Sequence, residues 1–161
     1  MPKLDEYDLK ILRVLQQDGR ITKLKLAEAV NLSPSPTWER LRKLEEAGII
    51  TGYSARLDVR KIAPITTVMV EVVLKRHQRE DFEHFESAIQ KMPEVVECMA
   101  TGGGLDYMMR VVTTDVDSYQ RFMDRLLESD IGIDRYFSYI VTKPVKKSAG
   151  PSLDALLEKL S

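Results

Sequence analysis

Apolar residues recur at helical spacing in three successive segments of the first 48 residues. The first segment begins after Asp5, which can cap a helix, and Asp18-Gly19 is a signal that ends it. The second begins after Thr22, another capping residue. Their apolar stripes are Leu9, Leu12 and Leu15 in the first segment, and Leu26, Ala27 and Val30 in the second.

The third segment, 32–48, carries a start signal and a stop signal. Ser33 or Ser35 can cap its N-terminus, and Pro34 or Pro36 is tolerated in the first helical turn. Gly48 suits the left-handed position that follows a last turn. The predicted helix has a cationic, hydroxyl-rich side and a narrow apolar side. The apolar side consists of Thr37, Leu41, Leu44 and Gly48.

Three short helices, with a tight turn at 31–34 between the last two, are the layout of a helix-turn-helix DNA-binding domain. The alternative is an ordinary three-helix bundle whose third helix is merely solvated. Arg40 lies closer to the apolar seam than the other cations, so bracing the helix is the alternative role for it. The residues expected to contact DNA are Ser33, Ser35, Thr37, Trp38, Arg40, Arg42 and Lys43.

The second half of the chain alternates strands and helices in the order βαββαβ, which predicts a ferredoxin-like fold. Helices of that fold cover one sheet face only. Because the first predicted strand carries apolar residues on both faces, we expect the open face to be buried in a homodimer. The predicted strands are 65–75, 95–101, 106–113 and 131–143. The predicted helices are 79–92, with Phe82, Phe85, Ile89 and Met92 inward, and 116–127, with Val116, Tyr119, Phe122 (or Met123) and Leu126 inward.

A glycine-rich loop joins the second and third predicted strands. Its three glycines expose backbone N–H groups that can bind a carboxylate, and Asp106 can accept an ammonium. A plain hairpin turn is the alternative. Tyr136 and Ser138 can line the same pocket from a neighbouring subunit, or simply pack within the sheet. The loop residues expected to bind an effector are Thr101, Gly102, Gly103, Gly104, Asp106 and Tyr107.

Charge and composition are consistent with a DNA-binding regulator once the chain is divided. The 161 residues carry a net charge of −1, but residues 1–64 have 12 Lys and Arg against 9 Asp and Glu. The positive excess therefore lies with the predicted reading helix, and its modest size favours more than one copy per DNA site. The single cysteine, Cys98, lies in an apolar run where we expect it to be buried.

Other features predict no enzyme and no membrane protein. His77 and His84 lack partners at metal-ligand spacing, so we expect neither a metal site nor a cofactor. The N-terminus has no apolar signal core, and with one cysteine this favours the cytoplasm, at the nucleoid. After residue 150, Leu153, Leu156, Leu157 and Leu160 form a stripe that predicts a short docking helix.

Several motifs together resemble the Lrp/AsnC family of transcription regulators. They include Leu4-Asp5-x-x-Asp8-x-x-Ile11-Leu12, Leu32-Ser-Pro-x-Pro36, and Glu39-Arg40-x-Arg42-x-Leu44-Glu45-x-x-Gly48, with Asp106-Tyr107 after the glycine-rich loop. The resemblance implies an α+β chain with a winged helix-turn-helix and a ferredoxin-like regulatory domain that dimerises and often forms octamers. It also implies that an amino acid or related molecule binds between regulatory domains. The expected division is a DNA-binding domain at 1–49, a linker at 50–64, a regulatory domain at 65–147 and a tail at 148–161.

Three classes of function compete for this sequence. The favoured one is a sequence-specific transcription regulator that binds double-stranded DNA and responds to an amino acid. The second is a DNA-architectural protein that uses the same helix with little sequence preference. The third, an enzyme built on the ferredoxin-like half, needs a catalytic acid, base or metal that the sequence does not offer.

Overall fold

The computed structural model describes residues 4–146 and 151–157. Two compact units are present: Met1–Arg56 with Lys146–Ser161, and Leu57–Val145. The division after Arg56 falls within the predicted linker, and the described tail residues 151–157 belong to the N-terminal unit. None of the helices in the described ranges has the length and apolar character needed to cross a bilayer.

The N-terminal unit is built from three helices: α1 (Glu6–Gln17), α2 (Lys23–Val30) and α3 (Pro34–Glu46). Asp5 and Thr22 cap α1 and α2 as predicted, and Asp5 also forms a capping box with Asp8. Asn31, in the left-handed conformation at φ 57°, turns the chain from α2 towards α3. The core differs from the prediction in α1, where Ile11 is fully buried. Its buried apolar members are Ile11, Leu12, Leu26, Val30, Leu41 and Leu44.

The tail forms a short helix, α6 (Leu153–Leu157), that packs on its own chain. Leu153 lies against the core of the N-terminal unit, and Arg13 Nε donates to Asp154 Oδ1 over 2.8 Å. The predicted apolar stripe can be followed only through Leu153. Leu160 and the side chains of Leu156 and Leu157 lie outside the described residues.

The second unit has the predicted βαββαβ order. A short 3-10 turn, Val59–Lys61, precedes the first strand. The elements are β1 (Thr66–Leu74), α4 (Arg79–Ile89), β2 (Val95–Ala100), β3 (Tyr107–Thr113), α5 (Val116–Glu128) and β4 (Ile133–Ile140). The strands form an antiparallel sheet in the order β2-β3-β1-β4, covered on one face by the two helices, so the fold is ferredoxin-like and the class is α+β.

Side-chain alternation in β1 separates a buried face from an open one. Val68, Val70, Val72 and Leu74 are buried beneath the helices, as their spacing predicts. The helices bury Phe85 and Ile89 from α4, and Tyr119, Phe122, Met123 and Leu126 from α5. Two predictions of burial are wrong. Val116 is about half exposed at the first turn of α5, and Cys98 is exposed on β2, an outer strand with only one neighbour.

Candidate nucleic-acid interface and effector site

The start of α3 is set by its prolines rather than by a side-chain cap. Ser33 occupies the N-cap position and Pro34 the first turn, but the Ser33 hydroxyl makes no capping hydrogen bond. At the other end the backbone of Gly48 adopts φ 68°, the left-handed conformation that its position after the helix predicts. The helix therefore has the predicted bounds at both ends.

The outer face of α3 presents cationic, aromatic and hydroxyl groups. The side chains of Ser35, Trp38 and Arg42 follow one another at helical spacing, and all three residues are exposed. Arg42 is 62% exposed in its side chain and lies 3.5 Å from Glu46 one turn later. This long pair leaves the guanidinium accessible for a phosphate or a base edge. The exposed members of the predicted set are Ser33, Ser35, Trp38, Arg42 and Lys43.

Lys23, at the start of α2, lies over the ring of Trp38. Its Nζ atom is 3.2 Å from the ring centroid, within the range of a cation–π contact. Trp38 remains 40% exposed, so the contact orients the indole without covering it. Lys23 was not predicted as part of this face, because its pairing with Trp38 depends on how two helices cross and cannot be read from local spacing.

Arg40 faces the N-terminus of α1 instead of solvent. Its Nη1 donates to Asp5 Oδ2 at 2.6 Å and to Asp8 Oδ1 at 2.8 Å. Hydrogen bonds to Asp8 and Asp5 raise the pKa of Arg40. The pKa of Asp5 is lowered, first by the Asp8 backbone N–H and then by Arg40. Arg40 thus braces α3 against α1, the alternative role, and its inclusion among the DNA-contact residues is corrected.

Thr37 is also corrected as a DNA-contact residue. It is 2% exposed, and its hydroxyl donates to the Ser33 carbonyl oxygen over 2.9 Å. Its spacing from Leu41 and Leu44 already put it on the apolar seam of α3. Burial and an internal hydrogen bond leave Thr37 no group to offer to a groove.

The glycine-rich loop between β2 and β3 is held at its base and open at its tip. Thr101 donates its hydroxyl to the Leu105 carbonyl oxygen at 2.8 Å, and its backbone N–H to the Asp106 carbonyl oxygen at 2.8 Å. The exposed tip contains Gly103 at φ 132°, with open space around it. Within the described part of the chain, the N–H groups of residues 102–104 donate no hydrogen bond. Three adjacent amides are therefore available to an anion.

The Asp106 carboxylate is already engaged within the chain. Its Oδ2 accepts from the backbone N–H of Leu74 at 2.8 Å and lies 3.0 Å from His77 Nε2. This carboxylate partner of His77 lies 29 residues away, beyond the spacing along the chain on which the expectation of no metal site was based. Within the described residues, His, Cys, Asp and Glu side chains form no group of three that could hold a metal ion.

Three other predicted effector residues point into the helix-covered side of the sheet. Tyr107 is 2% exposed and donates its hydroxyl to Glu86 Oε1 at 2.8 Å. Burial, followed by this bond, raises the Tyr107 pKa well above its ordinary value. Tyr136 packs against the core, and the hydroxyl of Ser138 pairs with that of Tyr119. Tyr107 is corrected to a core residue, and sheet packing accounts for Tyr136 and Ser138 within one chain.

Family models match both units of the chain. Residues 4–51 match the winged helix-turn-helix DNA-binding model, and residues 67–151 match the Lrp/AsnC ligand binding domain model. The chain belongs to the Lrp/AsnC family. It is a transcription regulator with a helix-turn-helix DNA-binding domain and an Lrp/AsnC ligand-binding domain. This membership confirms the resemblance and the prediction of a transcription regulator with a ligand-binding domain.

Relatives match the chain over nearly its whole length. Transcriptional regulatory protein DoeX of Halomonas elongata is 56% identical over 155 residues, which cover 96% of this chain and 98% of the relative. The leucine-responsive regulatory protein of Escherichia coli K12 is 37% identical over 145 residues, covering 90% and 88%. Among solved structures, the transcriptional regulator NMB0573 of Neisseria meningitidis in complex with L-Met is 36% identical. It has a TM-score of 0.89 and covers 96% of this chain and 99% of the other.

Proposed function

We propose that this Lrp/AsnC regulator binds specific DNA sites as a homodimer and responds to a free amino acid held at its glycine-rich loop. Two observations support the proposal: the exposed cationic face of α3, and the three unpaired amides of the loop. The similarity to NMB0573, whose structure contains L-Met, favours an amino acid as effector. The proposal includes a cytoplasmic location at the nucleoid and no catalytic activity.

The proposed DNA interface is the outer face of α3. Residues near the N-terminus of a reading helix contact base edges in the major groove, and cationic groups contact phosphates. Ser35 and Trp38 fit the first role, and Arg42 and Lys43 fit the second or a guanine contact. Ser33 completes the proposed set at the helix entry.

The proposed dimer interface is the open face of the sheet. Side chains of Met69, Met99, Met108, Phe137 and Tyr139 alternate with the buried positions and so lie on this face. Phe137 and Tyr139 are each about half exposed in the single chain. A partly apolar face of this kind, which also carries Glu71 and the Arg110–Glu97 ion pair, favours a partner. A two-fold dimer also presents two reading helices to a palindromic site. Assembly of dimers to octamers is a further expectation from family membership.

In the proposed effector site, the carboxylate of the amino acid accepts hydrogen bonds from the N–H groups of residues 102–104. Its ammonium is bound by Asp106, whose Oδ1 has no hydrogen bond to any described residue. Ligand binding alters DNA binding only if its affinity differs between two states of the protein. Coupling between sites is typically about 1–3 kcal/mol, enough to change DNA affinity by roughly 5- to 150-fold.

Calorimetry with the twenty common amino acids tests this site. Asp106→Asn keeps an oxygen acceptor for the Leu74 N–H but removes the negative charge, so it should abolish amino-acid binding while the fold is retained. Asp134→Asn is the matched control, because Asp134 is an exposed carboxylate on β4. Absence of binding to the wild type, or equal binding by Asp106→Asn, contradicts the proposed effector site.

A further inference from the structure

His77 lies at the edge of the proposed effector site and is not among the groups proposed to contact the ligand. It lies just beyond β1, and its side chain is 57% exposed. Its Nε2 is 3.0 Å from Asp106 Oδ2, and its ring lies against that of Phe82, with centroids 6.0 Å apart. The imidazole is therefore held beside the carboxylate proposed to bind an ammonium.

The two partners of Asp106 Oδ2 differ in what they can do. The Leu74 N–H belongs to the sheet backbone and stays in place when a ligand arrives. The His77 imidazole is an exposed side chain that can rotate away. The Asp106 side chain itself is only 17% exposed, so access to its carboxylate is narrow. The imidazole therefore occupies one side of the carboxylate that is proposed to bind the ligand ammonium.

The two cationic side chains that precede His77 in sequence form ion pairs with residues other than Asp106. Arg76 pairs with Asp81 at 3.3 Å, and Lys75 lies 3.6 Å from Asp130. Within the described residues, His77 is the one side chain that donates to Asp106. An ammonium that binds Oδ2 must therefore displace one side chain, that of His77, and an ammonium that binds Oδ1 shares the carboxylate charge with it.

We infer that His77 competes with the effector's ammonium for Asp106 and so limits the preference of the site for amino acids over their 2-hydroxy analogues. The inference rests on the proposed function of the loop. A 2-hydroxy acid keeps the carboxylate and the side chain but brings no cation, so it gains little from a freed carboxylate. Removal of His77 should therefore strengthen binding of the amine selectively. Because the contact is exposed, the expected gain is about 3- to 10-fold in affinity.

Calorimetry with the full protein tests the competition. The probes are the twenty common amino acids and, for each one that binds, the 2-hydroxy acid with the same side chain. His77→Ala should bind the amino acid about 3- to 10-fold more tightly than wild type, with the hydroxy acid unchanged. His77→Gln keeps an N–H donor and should remain near wild type. His84→Ala is the matched control, since His84 is exposed on α4 and makes no hydrogen bond to Asp106.

The outcomes separate the inference from the function on which it rests. If amino acids bind wild type but His77→Ala shows no gain, or the same gain for both ligand types, the inference alone is overturned. If no amino acid binds either protein, the proposed effector site fails and the inference fails with it.

Nitrogen-15 NMR supplies a readout that needs no effector. The chain has two histidines, so the His84 imidazole serves as an internal reference. Asp106→Asn should move the His77 imidazole resonances and leave those of His84 in place. Unmoved His77 resonances would mean that the contact is absent in solution, and would overturn the inference even where amino acids bind.

Discussion

Replacement of Arg42 by alanine separates DNA recognition from domain stability. The Arg42 side chain is 62% exposed, and its one ion pair within the described residues, to Glu46 at 3.5 Å, is a long pair in the same helix. Such surface pairs contribute about 0.3–0.5 kcal/mol, so the variant should unfold within about 0.5 kcal/mol of wild type. Its effect should be confined to DNA binding.

The expected loss of affinity depends on what Arg42 contacts. A bidentate contact to guanine gives about 1–3 kcal/mol of discrimination, and a two-fold dimer makes the contact twice. The loss is then about 2–6 kcal/mol, or roughly 30-fold to more than 10⁴-fold in Kd. A phosphate contact instead lowers the slope of log K against log salt by about 0.9 per site, or about 1.8 per dimer.

Binding of Arg42→Ala to a selected operator, in a salt series from 50 to about 300 mM, distinguishes the two contacts. Arg40→Ala is the informative comparison, because Arg40 braces α3 against Asp5 and Asp8. Arg40→Ala should lower the unfolding temperature. The variant protein that is folded should still bind DNA with a near-wild-type slope of log K against log salt. Unchanged operator affinity and salt slope in a folded Arg42→Ala protein would refute the assignment of this helix face.

The remaining predictions concern the two folded units and the proposed dimer. Gly48→Ala should lower the unfolding free energy by about 1–2 kcal/mol in chemical denaturation, because φ 68° strains a residue with a Cβ although the space around it is open; an unchanged midpoint would contradict this. Phe137→Lys places a charge on the open sheet face, so sedimentation should show a dimer dissociation constant raised at least about tenfold, with unchanged circular dichroism. A fully dimeric variant would exclude this face. The lowered pKa of Asp5 means that its charged form stabilises the fold fully above the ordinary value of 3.8, and that this stabilisation is lost as pH falls through the lower folded value. The unfolding free energy of Asp5→Asn should therefore fall less steeply than that of wild type below about pH 4. A pH dependence parallel to that of wild type would count against the hydrogen bonds of Asp5.

Local signals in the sequence predicted most of the secondary structure. Asp5 and Thr22 cap their helices because a side-chain oxygen reaches an N–H only a few residues away, a relation visible in sequence. The alternation of Val68, Val70 and Val72 identified the buried face of β1, because a strand has period two. The order of elements then restricted the fold to few topologies.

Errors arose where a side chain's partner is distant in sequence. Arg40 donates hydrogen bonds to Asp5 and Asp8, which lie more than 30 residues away in sequence. His77 contacts Asp106, which lies 29 residues away. Neither pairing follows from periodicity. Cys98 lies in an apolar run, yet β2 is an outer strand, and only the strand order shows that its side chain remains exposed.

Tyr107 and Thr37 were assigned to binding sites wrongly for a different reason. Each carries a polar group that suggests a ligand contact, and each satisfies that group internally, through Glu86 and the Ser33 carbonyl oxygen. A hydroxyl on an apolar stripe should be assigned to the core first, because buried polar groups are normally hydrogen-bonded within the protein.

The most direct test of the account is operator binding measured with and without an amino acid that calorimetry shows to bind. The predicted result is an operator affinity at least about 10³-fold above that for unrelated DNA of the same length and salt, shifted at least about fivefold by the amino acid. The shift should disappear in Asp106→Asn. Near-equal affinity for all DNA, unaffected by any bound amino acid, would contradict the account and favour an architectural DNA-binding protein.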